Sequence, residues 1–161
     1  MDHIVYLALG SNVGSRLANL KNAIGNLPPQ LIVRRKSPVY ETPPWGFKDQ
    51  PAFLNQVVMA ETYLDAEALL SHLKRLETAL GREPGFPNGP RSIDMDILFY
   101  DDQIIETESV VIPHPRLHQR AFVLVPLNDI APDLIHPVLD KPVSELLLDV
   151  DRMEIVEYKG K

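Results

Sequence analysis

The sequence predicts an α+β sandwich, an antiparallel-rich sheet with helices packed on its faces. Three observations lead there. Runs of strand-type and helix-type periodicity follow one another in the order β-α-β-β-α-β, the order of a ferredoxin-like sandwich. A chain of 161 residues, 45% of them hydrophobic, has the size and apolar content of one domain with one core, so one domain is expected across residues 1–161. The 15 prolines gather in the connections, where they stiffen loops.

In chain order, Asp2 to Gly10 is a β-prone apolar run closed by Gly10-Ser11-Asn12, a turn whose Ser11 and Asn12 are candidate caps for the next element. Leu17, Leu20, Ile24 and Leu27 then recur at helical spacing until Pro28-Pro29 stops the helix. Leu31 to Tyr40 and Phe53 to Thr62 read as strands, with Val33, Val39, Val57 and Val58 supplying β-branched bulk. The loop "ETPPWGFKDQP" separates them. Leu69, Leu70, Leu73, Leu76 and Leu80 make a second amphipathic helix, with Asp65 as its N-cap and Gly81 as its stop. A third loop, "GREPGFPNGPR", leads into "SIDMDILFY". Asp101-Asp102 predicts a hairpin turn into Gln103 to Ile105, followed by the short run "VVIP". A helix carrying Leu117, Ala121, Leu124 and Val125 ends near Pro126, Ser144 to Leu148 form another, and Met153 to Tyr158 a last strand.

Charge and composition exclude several classes. With 22 acidic residues against 16 basic ones, the net charge of -6 argues against nucleic acid or an anionic membrane as partner. The absence of cysteine removes disulfides and thiolate metal sites. The start "MDHIVYLALGSN" lacks the basic beginning and cleavage site of a signal peptide, and no apolar run approaches the ~18 residues of a membrane span. A cytoplasmic monomer acting on small molecules is the expectation.

The chemistry concentrates in "GPRSIDMDILFY", where two acids interrupt a buried-strand pattern. Alternation puts Ile93, Met95, Ile97 and Phe99 on one face and Asp94, Asp96, Leu98 and Tyr100 on the other. Two carboxylates on one strand face start about 6–7 Å apart, close enough to share one or two divalent cations; on a helix they would diverge by about 200°. An acid pair of this spacing can also mark a solvated strand side. Leu98 and Tyr100 on the same face argue against that, because unpaired carboxylates beside apolar groups repel each other and lose hydration. Hard oxygen donors suit Mg²⁺ holding substrate phosphates. Such a site needs cations nearby, and Arg82 and Arg91 flank the third loop while Arg116 and Arg120 follow "IPHP". His114 can be a structural histidine or a phosphate donor; zinc shared with His118 lacks a third ligand in the neighbouring sequence. No G-x-x-x-x-G-K-[ST], H-R-D or D-F-G is present, and "LGSNVGSR" is too lax to be a phosphate loop.

Four segments in order, "ALGSNVG", "ETPPWG" with "DQPAFLN", "LGRE" with "GPRSIDMDILFY", and "IPHPRLHQRAFVLVPLNDIAP", resemble the 6-hydroxymethyl-7,8-dihydropterin pyrophosphokinases of folate biosynthesis from about residue 7 to 132. The resemblance implies a ferredoxin-like fold and transfer of the β,γ-diphosphate of ATP to the pterin's hydroxymethyl oxygen. By motif, Asp94 and Asp96 would bind two Mg²⁺ ions, and Glu77, Arg82, Arg91, His114 and Arg120 would belong to the ATP site. The pterin would lie between Phe53 and Phe122, its polar edge meeting Thr42, Asn55, backbone around Pro43 to Trp45, and Asp94. Arg82, Arg91 and Asp96 would carry the catalytic charge work, Asp96 with an additional role as base. Taken alone, Phe53 and Phe122 suit ordinary core packing better than a ring site, and Trp45 suits either a pocket cover or a loop anchor. Pro84 and Asn88 stand where a second basic residue and a Trp are frequent in the family, which bears on how the third loop meets ATP. The "PPWGFKDQ" and "REPGFPNG" loops are expected to close over bound nucleotide. Two rival readings use the same residues: a pterin-binding module without catalysis, and a two-metal hydrolase independent of pterin.

Overall fold

The computed structural model describes residues 2–44, 49–81, 92–152 and 154–160. The central sheet is antiparallel throughout and is built from β1 (His3–Ser11), β2 (Leu31–Lys36), β3 (Tyr40–Thr42), β4 (Phe53–Thr62), β5 (Asp94–Tyr100) and β10 (Val156–Glu157). Its order is β10-β3-β4-β1-β5, with β2 pairing β4 as well. Two short hairpins lie apart from it, β6 (Ile105–Glu106) with β7 (Val111–Ile112), and β8 (Ile135–His136) with β9 (Lys141–Pro142).

Helices cover both faces. The helices α1 (Arg16–Gly25) and α2 (Ala66–Ala79) lie on one, sealing a core of Val5, Leu7, Leu20, Leu54, Leu69 and Leu73. On the other, α3 (Ala121–Ile130) and α4 (Val143–Leu146) pack with Tyr6, Val57, Leu98 and Phe99. The start of α2 is set as expected, Asp65 accepting the Ala68 N–H at 2.8 Å, and Gly81 follows the helix at φ +95°. At α1 the caps differ: Ser15 holds the N-cap without a side-chain bond, while the Ser11 hydroxyl accepts from Asn19 Nδ2 at 3.1 Å.

Four local expectations are corrected. The strand read from Leu31 to Tyr40 is two strands, because Pro38 has no N–H for the ladder. Ser37 bridges the break, its backbone N–H reaching the Val57 carbonyl and its hydroxyl accepting the Val57 N–H, both at 2.9 Å. The turn at Asp101 does not fold β6 back on β5. Its carboxylate accepts the Ile4 N–H at 2.8 Å and meets His3 Nδ1 at 2.7 Å, pinning the end of β5 to β1, while β6 pairs with β7. The helix expected to end near Pro126 runs through it to Ile130. The proline leaves the Phe122 carbonyl without its usual helical donor, but Val123, Leu124, Leu127 and Ile130 are buried on the sheet, and Arg35 caps the last carbonyl at 2.9 Å. Finally, strict alternation fails in β5. The register with β1 passes from Tyr6↔Phe99 to Leu7↔Ile97, so Leu98 is an extra residue. This β-bulge turns Phe99 toward α3 and Tyr100 toward α2, where its hydroxyl donates to the Leu64 carbonyl at 2.7 Å. Asp94 and Asp96 lie before the bulge and keep their shared face.

Candidate active site

Three antiparallel pairings put Asp94, Gly10, Asn55 and Tyr40 in one row across β5, β1, β4 and β3. The neighbouring row on the same face is Asp96, Ala8 and Val57. The two β1 residues between the acids and β4 are thus the small Ala8 and Gly10. Their lack of bulk leaves a cavity of about 300 Å³ between the sheet and the N-terminus of α3. Thr42, Phe53 and Asn55 line one side, Asp94 and Asp96 another, and Phe122 with Arg120 the roof.

Each wall has a local cause. Gly10 is required by close approach: a Cβ there would stand 2.9 Å from Asn55 Oδ1 and 3.5 Å from Phe53 Cδ1. The Asn55 amide is held by donating to Thr42 Oγ1 at 2.5 Å, which orients its polar edge. Phe122 is the second residue of α3, and the Arg120 guanidinium lies 5.6 Å from its ring centre. Behind β5, the buried Glu77 of α2 accepts the Met95 N–H at 2.7 Å through Oε2, and its Oε1 is 3.5 Å from Lys74 Nζ. Glu77 therefore anchors the backbone between the two acids and tethers a lysine that also lines the cavity.

The electrostatics follow from this crowding. Burial raises the Asp96 carboxyl to about 7, and the charge of Asp94 pushes the same way while Lys74 and Arg120 oppose it. His114 is lowered to about 4, first by burial and then by the Arg120 cation, so its imidazole is neutral at pH 7. Its Nδ1 accepts the Arg116 N–H at 3.3 Å, which leaves the proton on Nε2, and its backbone N–H bonds the Leu98 carbonyl at 3.1 Å.

Of the residues singled out in the sequence, Thr42, Pro43, Phe53, Asn55, Asp94, Asp96, His114, Arg120 and Phe122 line this one cavity. Glu77 stands behind the acid pair, and Arg116 is exposed outside the lining. Trp45, Arg82 and Arg91 lie outside the described residues, as do Pro84, Asn88, all of "REPGFPNG" and residues 45–48 of "PPWGFKDQ". Ala8, Gly10 and Lys74 went unnoticed in the sequence. The small-x-small spacing of Ala8 and Gly10 in a strand was the available signal for the first two, and Lys74, one helical turn before Glu77, had a weaker one. A larger cleft of about 710 Å³ shares Pro43 and Phe122 with the cavity but contains neither Asp94 nor Asp96.

The family model for 7,8-dihydro-6-hydroxymethylpterin-pyrophosphokinase, HPPK, matches residues 6–132. The chain belongs to the HPPK family. A 2-amino-4-hydroxy-6-hydroxymethyldihydropteridine pyrophosphokinase from Aquifex aeolicus is 45% identical over 141 residues, 88% of each chain. One from Methylorubrum extorquens is 43% identical, over 91% of this chain and 92% of that one. The folic acid synthesis protein fol1 of Pneumocystis carinii is 44% identical over 99% of this HPPK chain, which spans only 22% of that longer protein. Among solved structures, an HPPK-DHPS crystal structure in complex with substrates superposes with a TM-score of 0.72 at 18% identity, covering 91% of this chain and 43% of that one. Its likeness concerns the fold, which is the ferredoxin-like α+β sandwich expected from the element order.

Proposed function

We propose that this HPPK chain transfers the diphosphate of ATP to the hydroxymethyl group of 6-hydroxymethyl-7,8-dihydropterin, releasing AMP and the pterin diphosphate in tetrahydrofolate biosynthesis. The observation that carries the reading is that Phe53 and Phe122 line the same cavity as the Asp94–Asp96 pair. The aromatic faces suit a planar heterocycle, and Asn55 with Thr42 presents both donor and acceptor character to its edge. We also assign backbone groups around Pro43 to Trp45 to the hydrogen-bonding edge of the pterin.

Asp94 and Asp96 fit Mg²⁺. They are hard oxygen donors on one face, and Asp96 is held protonatable near neutrality by burial and then by its acidic neighbour Asp94, a situation that a bound cation would relieve. We assign two ions to this pair; when bound, they neutralise triphosphate charge and favour in-line transfer. The protein's own contribution is alignment and charge placement. The slot orients the hydroxymethyl group toward the acids. His114 offers its Nε2–H to a phosphate oxygen, Arg120 adds a fixed cation, and Arg82 and Arg91 complete the phosphate site from the third loop. We also assign Asp96 a role in receiving the hydroxyl proton, because its carboxylate lines the cavity that would hold the hydroxymethyl group. Glu77 keeps β5 in place beneath these groups.

We further assign one domain spanning 1–161, working as a cytoplasmic monomer without nucleic acid. The acidic net charge supports this, and among the described residues no helix is long and apolar enough to cross a membrane.

The test is AMP release from ATP and Mg²⁺ with and without the pterin. Pterin-dependent AMP is expected, together with its loss in Asp96→Ala at unchanged circular dichroism. AMP or phosphate released equally without pterin would favour a hydrolase, and pterin binding without AMP would favour a binding module.

A further inference from the structure

Apart from Gly10, the motif "GSNVGSR" has no part in the chemistry above, yet the side chains of Asn12 and Arg16 converge on the segments that lead into Thr42 and Phe53. Asn12 is 2% exposed, and its Nδ2 donates to Gln50 Oε1 at 2.8 Å and to the Pro51 carbonyl at 3.1 Å. Four residues later, Arg16 Nη1 donates to Glu41 Oε2 at 2.8 Å and to the Ala52 carbonyl at 3.0 Å. The bonded groups are not scattered. Gln50, Pro51 and Ala52 run directly into Phe53, and Glu41 directly precedes Thr42. Thr42 and Phe53 are themselves paired across β3 and β4, at the last rung before the two strands part. Arg16 therefore grips both strand ends at the mouth of their connection, through the β3 side chain and the β4 backbone. Its guanidinium also lies 5.7 Å from the Tyr158 ring centre, and the Tyr158 N–H bonds the Val39 carbonyl at 2.8 Å, so the C-terminal strand braces the same edge.

We propose that Asn12 and Arg16 are positioning residues for pterin recognition, holding the rung Thr42–Phe53 in the register that sets the width of the ring slot and the aim of Asn55. The inference rests on the pyrophosphokinase reading. Neither residue lines the cavity, and the acid pair sits on β5, separated from β3 by both β4 and β1. Loss of the grip acts on the pterin and spares the nucleotide. The clamp is an ion pair joined to a backbone bond, with Arg16 and Glu41 side chains 24% and 43% exposed, so its removal shifts affinity without unfolding the chain.

Isothermal titration measures two affinities: that of the pterin in the presence of Mg²⁺ and a nonhydrolysable ATP analogue, and that of the analogue alone. For Arg16→Ala, pterin affinity is expected to fall about tenfold, about one factor of 1.4 kcal/mol, with analogue affinity unchanged. Arg16→Lys, which keeps a donor for both oxygens, is expected to recover most of the loss. Because Asn12 is buried, Asn12→Ala is read only beside its thermal midpoint, with the same selective loss expected. Equal pterin affinity in Arg16→Ala and the unaltered protein would overturn the inference. So would a parallel loss for both ligands, which marks a merely structural tie. If the unaltered protein bound no pterin, the functional reading itself would fall, and this inference with it.

Discussion

Replacing Asp96 by asparagine is expected to stabilise the ligand-free protein at alkaline pH and leave it unchanged at acid pH. The carboxyl rises from its usual 3.8 to about 7 on folding, chiefly through burial and then through Asp94. Between those values the folded state holds a proton that the unfolded chain has released, so stability falls as pH rises across the window and levels off above about 7. Each tenfold change in acidity corresponds to about 1.4 kcal/mol, so the rise sets a ceiling of roughly 4 kcal/mol, and relaxation around the charge brings an expected effect nearer ~2 kcal/mol. The asparagine is nearly isosteric with the protonated acid and carries no charge at any pH. In a protein of this size that difference is worth about 4–8 °C in thermal midpoint. The assay is thermal unfolding of wild type and Asp96→Asn at pH 4.5 and pH 8 without divalent ions, a comparison that cancels the titrating groups that do not interact with Asp96. A second pair of melts at pH 8 with Mg²⁺ and an ATP analogue is expected to raise the wild type more than the variant. If the two proteins differ equally at both pH values, Asp96 is not held near neutrality and the electrostatic account of the acid pair is wrong.

Other outcomes follow from the same geometry. In Gly10→Ala the new methyl meets Asn55 Oδ1 at 2.9 Å, so the amide must shift and strain its bond to Thr42. Pterin affinity is expected to drop by roughly ten- to a hundredfold, the equivalent of about 1–3 kcal/mol of overpacking, with a small change in thermal midpoint; unchanged affinity by titration would show that Asn55 does not read the ring. Asp65→Ala removes the α2 cap and is expected to lower stability by about 1 kcal/mol in urea unfolding, with pterin-dependent AMP release retained. His136 is buried, and its Nδ1 accepts the Val138 and Leu139 N–H groups at 3.2 and 3.1 Å, while burial and then His118 lower its pKa. Its stabilising contribution is complete above the ordinary histidine value of about 6.5 and is lost as pH falls below it. Measured in the Asp96→Asn background, where the opposing trend is gone, stability at pH 5 is expected to lie below that at pH 7.5, and His136→Asn is expected to reduce the difference, leaving the parts that His114 and His72 contribute.

Much of this molecule was legible without coordinates. Phe53–Thr62 and α2 came through because a buried strand and an amphipathic helix each write their period into many residues at once, and Asp65 and Gly81 mark the helix ends by local chemistry. The shared face of Asp94 and Asp96 was legible because a period of two is a property of any strand. The errors arose where a distant partner overrode a local rule. Pro126 reads as a helix stop, but α3 gains more from burying Val123, Leu124, Leu127 and Ile130 than it loses in one bond. Leu98 reads as one more alternating residue, and only the register against β1 shows that it is an extra one.

By itself the sequence determined the class of elements and their order, and it offered the acid pair, arginines, histidine and aromatics that the proposed chemistry would use, since each depends on side-chain type and spacing within one segment. Tertiary structure alone decided that Ala8 and Gly10 hollow the sheet between the acids and Asn55, that Glu77 holds β5 from behind, and that Asn12 and Arg16 grip the strand ends beside Phe53. These relations join residues tens of positions apart, and pairing register and helix docking set them through contacts that no single segment encodes.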